Sequence, residues 1–146
     1  RIYRALVWGH VDNTVGVIDA PIGRDHRDPL RMAVVVDGKP ARTRFRVLAT
    51  HRTPSPTSSL ECRLETGRTH QIRVHFAAIG HPVVGDPKYG RGDPFRERLC
   101  LHAKSIAFDH PHSGRRMFFE TPIPETFARL ARGLTEAEWQ ATAVEC

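Results

Sequence analysis

At 146 residues, with 40% apolar and 26% charged side chains, the chain is long enough for one domain with a core of its own, and disorder throughout is excluded. A count of 22 Lys+Arg against 16 Asp+Glu leaves a formal charge of +6, which favours polyanionic partners, nucleic acid first. The three cysteines, Cys62, Cys100 and Cys146, are far apart and include no CxxC, so neither a disulfide framework nor a cysteine-based zinc site is expected, and no apolar run approaches the roughly 18 residues of a membrane span.

A reducing cytoplasm is therefore the expected setting. Lys39, Lys88 and Lys104 are the only lysines, so arginine carries nearly all the positive charge. That bias suits phosphate and base-plane contacts, and it equally suits a GC-rich genome. The chain opens at Arg1 without a methionine, directly in strand-like sequence, which reads as a piece of a longer protein.

Ile2 to Trp8 and Val15 to Ile22 are β-rich runs on either side of Asp12-Asn13, predicting a hairpin over residues 2–22. A charged loop over 23–31, basic through Arg24, Arg27 and Arg31, leads into the apolar run Met32 to Val36 and an Asp37-Gly38 turn. From Ala41 to Leu48 the residues alternate, with Ala41, Thr43, Phe45 and Val47 on one face and Arg42, Arg44 and Arg46 on the other. The arginine face is either plain solvated surface or a track for phosphates. Residues 50–59, rich in Pro, Ser and Thr, read as the loop of a hairpin whose return strand is Leu60 to Leu64.

That strand delivers Glu65-Thr-Gly-Arg-Thr-His-Gln-Ile-Arg-Val-His75, a charged turn feeding a short helix. Gly67 permits the turn, Thr69 is the expected N-cap, and Gly80 with Pro82 supplies the stop, leaving room for about three turns. Ile72, Phe76 and Ile79 share one helix face, and Arg73 sits at its edge, one turn beyond Thr69. Either Arg73 lays its methylenes on the core and its guanidinium in water, or Arg68 and Arg73 point into a cleft, where a planar fork can bind phosphate or keep a carboxylate ionised.

Residues 82–90 are turn-rich and 91–98 form a second basic loop. Leu99 to Phe108 and Arg116 to Thr121 read as strands flanking a turn at His110-Pro-His-Ser-Gly114, a helix starts at Pro124, and Thr135-x-x-Glu138 is a capping box for a last helix carrying Trp139. Six or seven strands joined mostly by hairpin-type turns, with about three short helices, make the class α+β with a largely antiparallel sheet. No alternating βαβ pattern appears, which argues against Rossmann and P-loop domains. Nine histidines invite a metal, but His70 and His75 are separated by roughly 140° around a helix, and His110 and His112 lack a cysteine pair. No serine lies in a Gly-x-Ser-x-Gly elbow.

Arg63-Leu-Glu-Thr-Gly-Arg-Thr-His-Gln-Ile-Arg-Val-His75, together with Gly80-His-Pro-Val-Val-Gly-Asp-Pro-Lys-Tyr-Gly90, resembles the C-terminal signature of RluA-type RNA pseudouridine synthases. The likeness extends from Tyr3 to about residue 127. It implies an isomerase that breaks the glycosidic N–C bond of uridine, turns the base over and forms a C–C bond, with RNA as partner and neither cofactor nor metal. By motif position Tyr3 is the tyrosine that stacks on the target base, Arg73 the arginine that pairs with a nucleophilic aspartate, and Ile72 an apolar neighbour. Arg68 and His70 are expected on the substrate side, and Arg42, Arg44 and Arg46 as substrate-binding residues.

The family's His-Arg-Leu-Asp-x-x-Thr-Ser-Gly segment, which carries the nucleophile, is absent from the sequence. Residues 1–134 are therefore expected to be the C-terminal portion of such a catalytic domain and 135–146 a terminal helix. The piece alone is expected to be inactive, its missing N-terminal partner leaving an apolar patch or an open strand edge. Ribosomal or transfer RNA is the expected substrate, and a non-catalytic basic RNA-binding module is the alternative.

Overall fold

A computed structural model describes residues 1–52, 55–90, 99–122 and 124. The elements in chain order are β1 (Ile2–Trp8), β2 (Val15–Asp19), β3 (Ile22–Arg24), β4 (Met32–Val34), β5 (Arg42–His51), β6 (Thr57–Leu64), α1 (Gln71–Ala78), β7 (Leu101–Asp109) and β8 (Arg116–Glu120). Six strands form one sheet in the order β2-β5-β6-β1-β7-β8, every neighbour antiparallel, and β3 pairs with β4 in a small second sheet. The class is α+β, as expected. Of the three helices read from sequence, α1 is described, and those begun at Pro124 and Thr135 lie, apart from Pro124 itself, outside the described residues, as does the 91–98 loop.

The expected hairpin over residues 2–22 does not form. β1 lies in mid-sheet with both edges taken, Tyr3 standing opposite Cys62 of β6 and Ala103 of β7. Leu6 and Val7 are neighbours that point to opposite faces, yet both are fully buried, so this strand needed cover on two sides and a hairpin partner supplies only one edge. The run from Val15 to Ile22 is broken at Pro21, which cannot donate to a ladder; β2 pairs with β5 before it, and β3 joins the small sheet after it. The hairpin of β5 and β6 forms as read, with longer arms than expected, His51 standing opposite Thr57.

One row across the sheet runs Gly16, Phe45, Cys62, Tyr3. The Phe45 ring covers Gly16, where a Cβ would meet Phe45 Cζ at 2.6 Å, and it meets Phe76 of α1 edge-to-face at 5.5 Å. Phe76, Ile72, Leu60 and Cys62 thus close the core between α1 and this face, each large apolar side chain contributing about 1.5–3 kcal/mol on burial. Ile79, expected on that apolar face, is 42% exposed, because the helix ends before it. The alternate row is Arg46, Glu61, Arg4, His102, where Arg4 and Glu61 are buried as a pair at 3.0 Å on the same face as Leu6. Val15 on edge strand β2 and Phe118 on edge strand β8 are exposed.

Candidate active site

The helix that carries the site starts one residue later than Thr69 would set it. His70 holds the N-cap position in the left-handed region at φ 55°, with no side-chain cap, and α1 begins at Gln71. Gln71 ties the turn down instead: its Oε1 accepts from the Arg68 amide at 3.0 Å and the Thr66 hydroxyl at 2.8 Å, while its Nε2 donates to the Arg42 carbonyl at 2.8 Å and to Thr43 Oγ1 at 3.0 Å. All four of its hydrogen-bonding positions are used, which permits its burial. The Thr43 hydroxyl then donates to His75 Nδ1 at 2.8 Å and His75 Nε2 donates to the Ala20 carbonyl at 2.9 Å, so His75 is a neutral brace between α1 and β5. Burial lowers its pKa further than the Ala20 bond and the Asp19 charge raise it.

The end of α1 follows the sequence reading. Gly80 takes φ 86°, its amide donates to the Ala77 carbonyl at 3.1 Å, and the His81 amide donates to the Phe76 carbonyl at 2.8 Å before Pro82 turns the chain away. That stop aims residues 82–90 back along the helix, and Asp86 reaches Arg73. Arg73 Nε and Nη2 each donate to an Asp86 oxygen at 2.8 Å, a two-pronged pair whose side chains are 14% and 0% exposed. Asp86 Oδ1 also accepts the Lys88 amide at 2.9 Å and the Tyr89 amide at 3.1 Å. Burial alone would raise the Asp86 carboxyl; the Arg73 bond, the two amides and the Arg73 charge outweigh it and hold the group below the ordinary aspartate range. Asp86 in turn raises the Arg73 pKa. Arg73 Nη1 keeps no partner among the described residues.

Tyr89 completes the wall. Two guanidinium groups lie over its ring, Arg73 at 5.0 Å and Arg31 at 5.2 Å from the centroid, and its hydroxyl accepts the Met32 amide at 3.2 Å and meets His70 Nδ1 at 2.7 Å.

Tyr3, Arg68, His70, Ile72 and Arg73, five of the residues singled out from sequence, line one cavity of about 280 Å³. Leu64, Leu99 and Leu101 give it an apolar side. Beside Tyr3 the register of β7 shifts by one residue between the partners of Ile2 and Tyr3, a bulge of the kind that re-aims a side chain at a site. Among the described residues that line the cavity there is no carboxylate, and Asp12 lies exposed in the loop before β2. Across Gly67 and Arg68, which belong to both, lies a second hollow of about 430 Å³ whose lining includes Arg24, Lys39, Thr69, Ile22 and Met32.

Arg42, Arg44 and Arg46 are not at the cavity. Arg44 Nε meets Glu65 at 2.7 Å, Arg42 Nε approaches Glu65 at 3.1 Å and Asp19 at 3.4 Å, and Arg46 Nη2 lies 3.8 Å from Glu61. The Arg44 hydrogen bond is the main reason the exposed Glu65 carboxyl lies below its ordinary range. Arg44 and Arg46 border a separate hollow with Glu61 and Arg63. Of the cavity's supports, Asp86, Tyr89 and Gln71 escape a reading of single residues. The signal that existed was the Gly85-Asp86-Pro87 turn, and nothing in the sequence shows that it folds onto a residue thirteen positions earlier. No cluster of three or more potential metal ligands occurs among the described residues.

Residues 1–78 match the family model described as RNA pseudouridylate synthase. The chain is 51% identical over 138 residues to an uncharacterised RNA pseudouridine synthase of Chloroflexus aurantiacus, covering 93% of the chain and 42% of that protein. It is 47% identical over 143 residues to the ribosomal large subunit pseudouridine synthase D of Nitrosomonas europaea, covering 92% of the chain and 40% of that protein. Among solved structures, human RNA pseudouridylate synthase domain containing 1 superposes with a TM-score of 0.76 at 29% identity, over 91% of the chain and 65% of that structure. The chain thus spans less than half the length of these two bacterial relatives.

Proposed function

The chain belongs to the RNA pseudouridylate synthase family, and on that premise we propose that residues 1–134 form the C-terminal portion of a catalytic domain that isomerises uridine to pseudouridine in structured RNA. The observation that carries the reading is the meeting of Tyr3, Ile72, Arg73, Arg68 and His70 at one cavity. Tyr3 offers a ring on which a base stacks, Ile72 an apolar contact, and Arg68 and His70 polar contacts to substrate. Arg73, held by Asp86 through Nε and Nη2, presents its Nη1 side to a second carboxylate. A nucleophilic aspartate there stays ionised beside the guanidinium, and it comes from chain outside these 146 residues.

The reaction balances without a co-reactant: the bond from the ribose carbon to N1 breaks, a bond to C5 forms, C5 gives up its proton and N1 takes one. The basic hollow at Arg24, Lys39 and Arg68 adjoins the cavity and supplies a path for the RNA backbone, and the arginines at 42, 44 and 46 add distant phosphate contacts. Ribosomal or transfer RNA in the cytoplasm is the substrate class, with recognition by RNA shape.

A non-catalytic RNA-binding module is the second reading, favoured by the lack of a carboxylate among the described cavity residues. Pseudouridine yield on cellular RNA separates the two. The chain alone is expected to give none, the chain joined to its upstream segment is expected to give product, and the same protein with the upstream aspartate changed to asparagine is expected to bind without turnover. In the joined protein Arg73→Lys is expected to fold and to lose about 100-fold or more in turnover, since an ammonium cannot serve two carboxylates with a fixed fork. Near-normal turnover in that variant overturns the assigned role of Arg73.

A further inference from the structure

His70 is the only non-glycine residue with positive φ among those described, and it stands at the cavity rather than in a surface turn. Such a backbone persists where its surroundings over-determine it. Here the determinant is Tyr89, 7% exposed, whose hydroxyl lies 2.7 Å from His70 Nδ1 and whose ring meets the imidazole edge-on at 5.5 Å.

Hydrogen-bond accounting fixes the direction of that contact. The Tyr89 oxygen already accepts the Met32 amide, and the hydroxyl has a single proton to give. Among the described residues His70 Nδ1 is the only other partner of that hydroxyl. Were Nδ1 to carry the imidazole proton, the buried phenolic proton would be left without an acceptor, the costlier arrangement. Tyr89 therefore donates to Nδ1, and the proton of the neutral ring resides on Nε2. Burial, then the charges of Arg73 and Lys88, hold the imidazole below the ordinary histidine range, against the opposing pull of Asp86, so the ring is neutral at pH 7. His70 Nε2 has no partner among the described residues.

We infer that Tyr89 is a positioning residue that locks His70 as the Nε2–H tautomer, and that this N–H reads a carbonyl oxygen of the uracil held in the cavity. The inference rests on the function proposed above and adds a reason why the donor suits this reaction. Turning uracil over about the line through N3 and C6 exchanges N1 with C5 and O2 with O4. A single fixed donor therefore meets a carbonyl both before and after the base turns. Cytosine offers a carbonyl in one of those orientations and an amino group in the other, so with the C4 edge of the resting base at His70 the same donor discriminates against it on binding.

The test is a measurement of histidine ring nitrogen shifts in the 146-residue chain at neutral pH, with uridine 5′-monophosphate or cytidine 5′-monophosphate added at tens of millimolar. The expected result is an Nε2–H tautomer at His70 whose Nε2 signal moves with the uridine nucleotide and moves at least about threefold less with the cytidine nucleotide. Tyr89→Phe is expected to return the ring to a mixture of tautomers while Gln71 and His75 keep their signals. An Nδ1–H tautomer in the wild-type chain, an unchanged tautomer in Tyr89→Phe, or an Nε2 signal indifferent to the uridine nucleotide overturns the inference. None of these readouts needs turnover, so they stand or fall apart from the pseudouridine yield that tests the function itself. In the joined protein His70→Gly, which keeps the backbone conformation and removes the donor, is expected to lower kcat about tenfold, beside the lower melting midpoint that a Tyr89 hydroxyl without its acceptor brings. A lowered midpoint with normal kcat assigns His70 to bracing alone.

Discussion

Arg73 and Arg44 each donate to a carboxylate at less than 3 Å, at 2.8 and 2.7 Å respectively, yet their settings differ. Arg73 is 14% exposed against an aspartate side chain with no exposure, while Arg44 is 53% exposed against a glutamate at 35%. On the cavity face the pair is a fixed part of the wall, closed by two backbone amides and a tyrosine ring. On the far face the arginines share Glu65, Asp19 and Glu61 among themselves and stay open to solvent. Contact distance is the same in both places; the cost of leaving one partner alone is not.

That contrast breaks most directly at the two acids. Asp86→Ala strands the Arg73 guanidinium in a dry wall and is expected to destabilise the fold by about 3–5 kcal/mol in a denaturant melt. Glu65→Ala, measured alongside, is expected to leave the midpoint unchanged within error. Equal effects from the two variants end the distinction.

A smaller effect separates the buried core from the surface by pH. His51, His70 and His75 all lie below the ordinary histidine range, burial being the first cause in each. Above about pH 6.5 they are neutral whether the chain is folded or not, and they cost nothing. As pH falls through that value the unfolded chain takes up protons that the folded one refuses, so stability declines on the acid side. The denaturant midpoint is expected to fall between about pH 7 and 5, and His75→Gln is expected to flatten that fall. A midpoint constant over the range contradicts it.

The smallest effect belongs to the far face. Changing Arg42, Arg44 and Arg46 together to glutamine is expected to flatten the salt dependence of RNA binding by less than the roughly three phosphates' worth that three unpaired arginines would give. Their acidic neighbours already hold part of that charge. A loss of three or more sharpens the comparison in the opposite sense, making the face a phosphate track. No change returns it to plain solvated surface.

Much of this was legible in the residues. Alternation from Ala41 to Val47 placed the faces of β5, and Gly80 with Pro82 marked the end of α1. The long signature brought Tyr3 and Arg73 into one expectation before any geometry was known. What stayed hidden were partnerships between distant segments. Local signals predicted β1 with β2, since Asp12-Asn13 looks like a turn, whereas the burial of both Leu6 and Val7 demanded a central position. Thr69 has the better capping chemistry, and it lost to a buried Gln71 with four bonds to strand and turn. Asp86 was one aspartate among eight in sequence, and only the turn after α1 brings it to Arg73.

The central place of β1 also dictates a schedule. Its ladder partners are residues 57–63 on one side and 101–105 on the other, so Ile2 finds its partner Ser105 only after more than a hundred further residues have been made. During synthesis β1 stays without its first ladder partner until β6 is made and without its second until β7 is made. Contacts of such sequence separation close slowly, because loop entropy is lost before the contacts form. Within this piece the hairpin of β5 and β6 is the unit that can form early, and β1 joins it as a late insertion rather than as a seed.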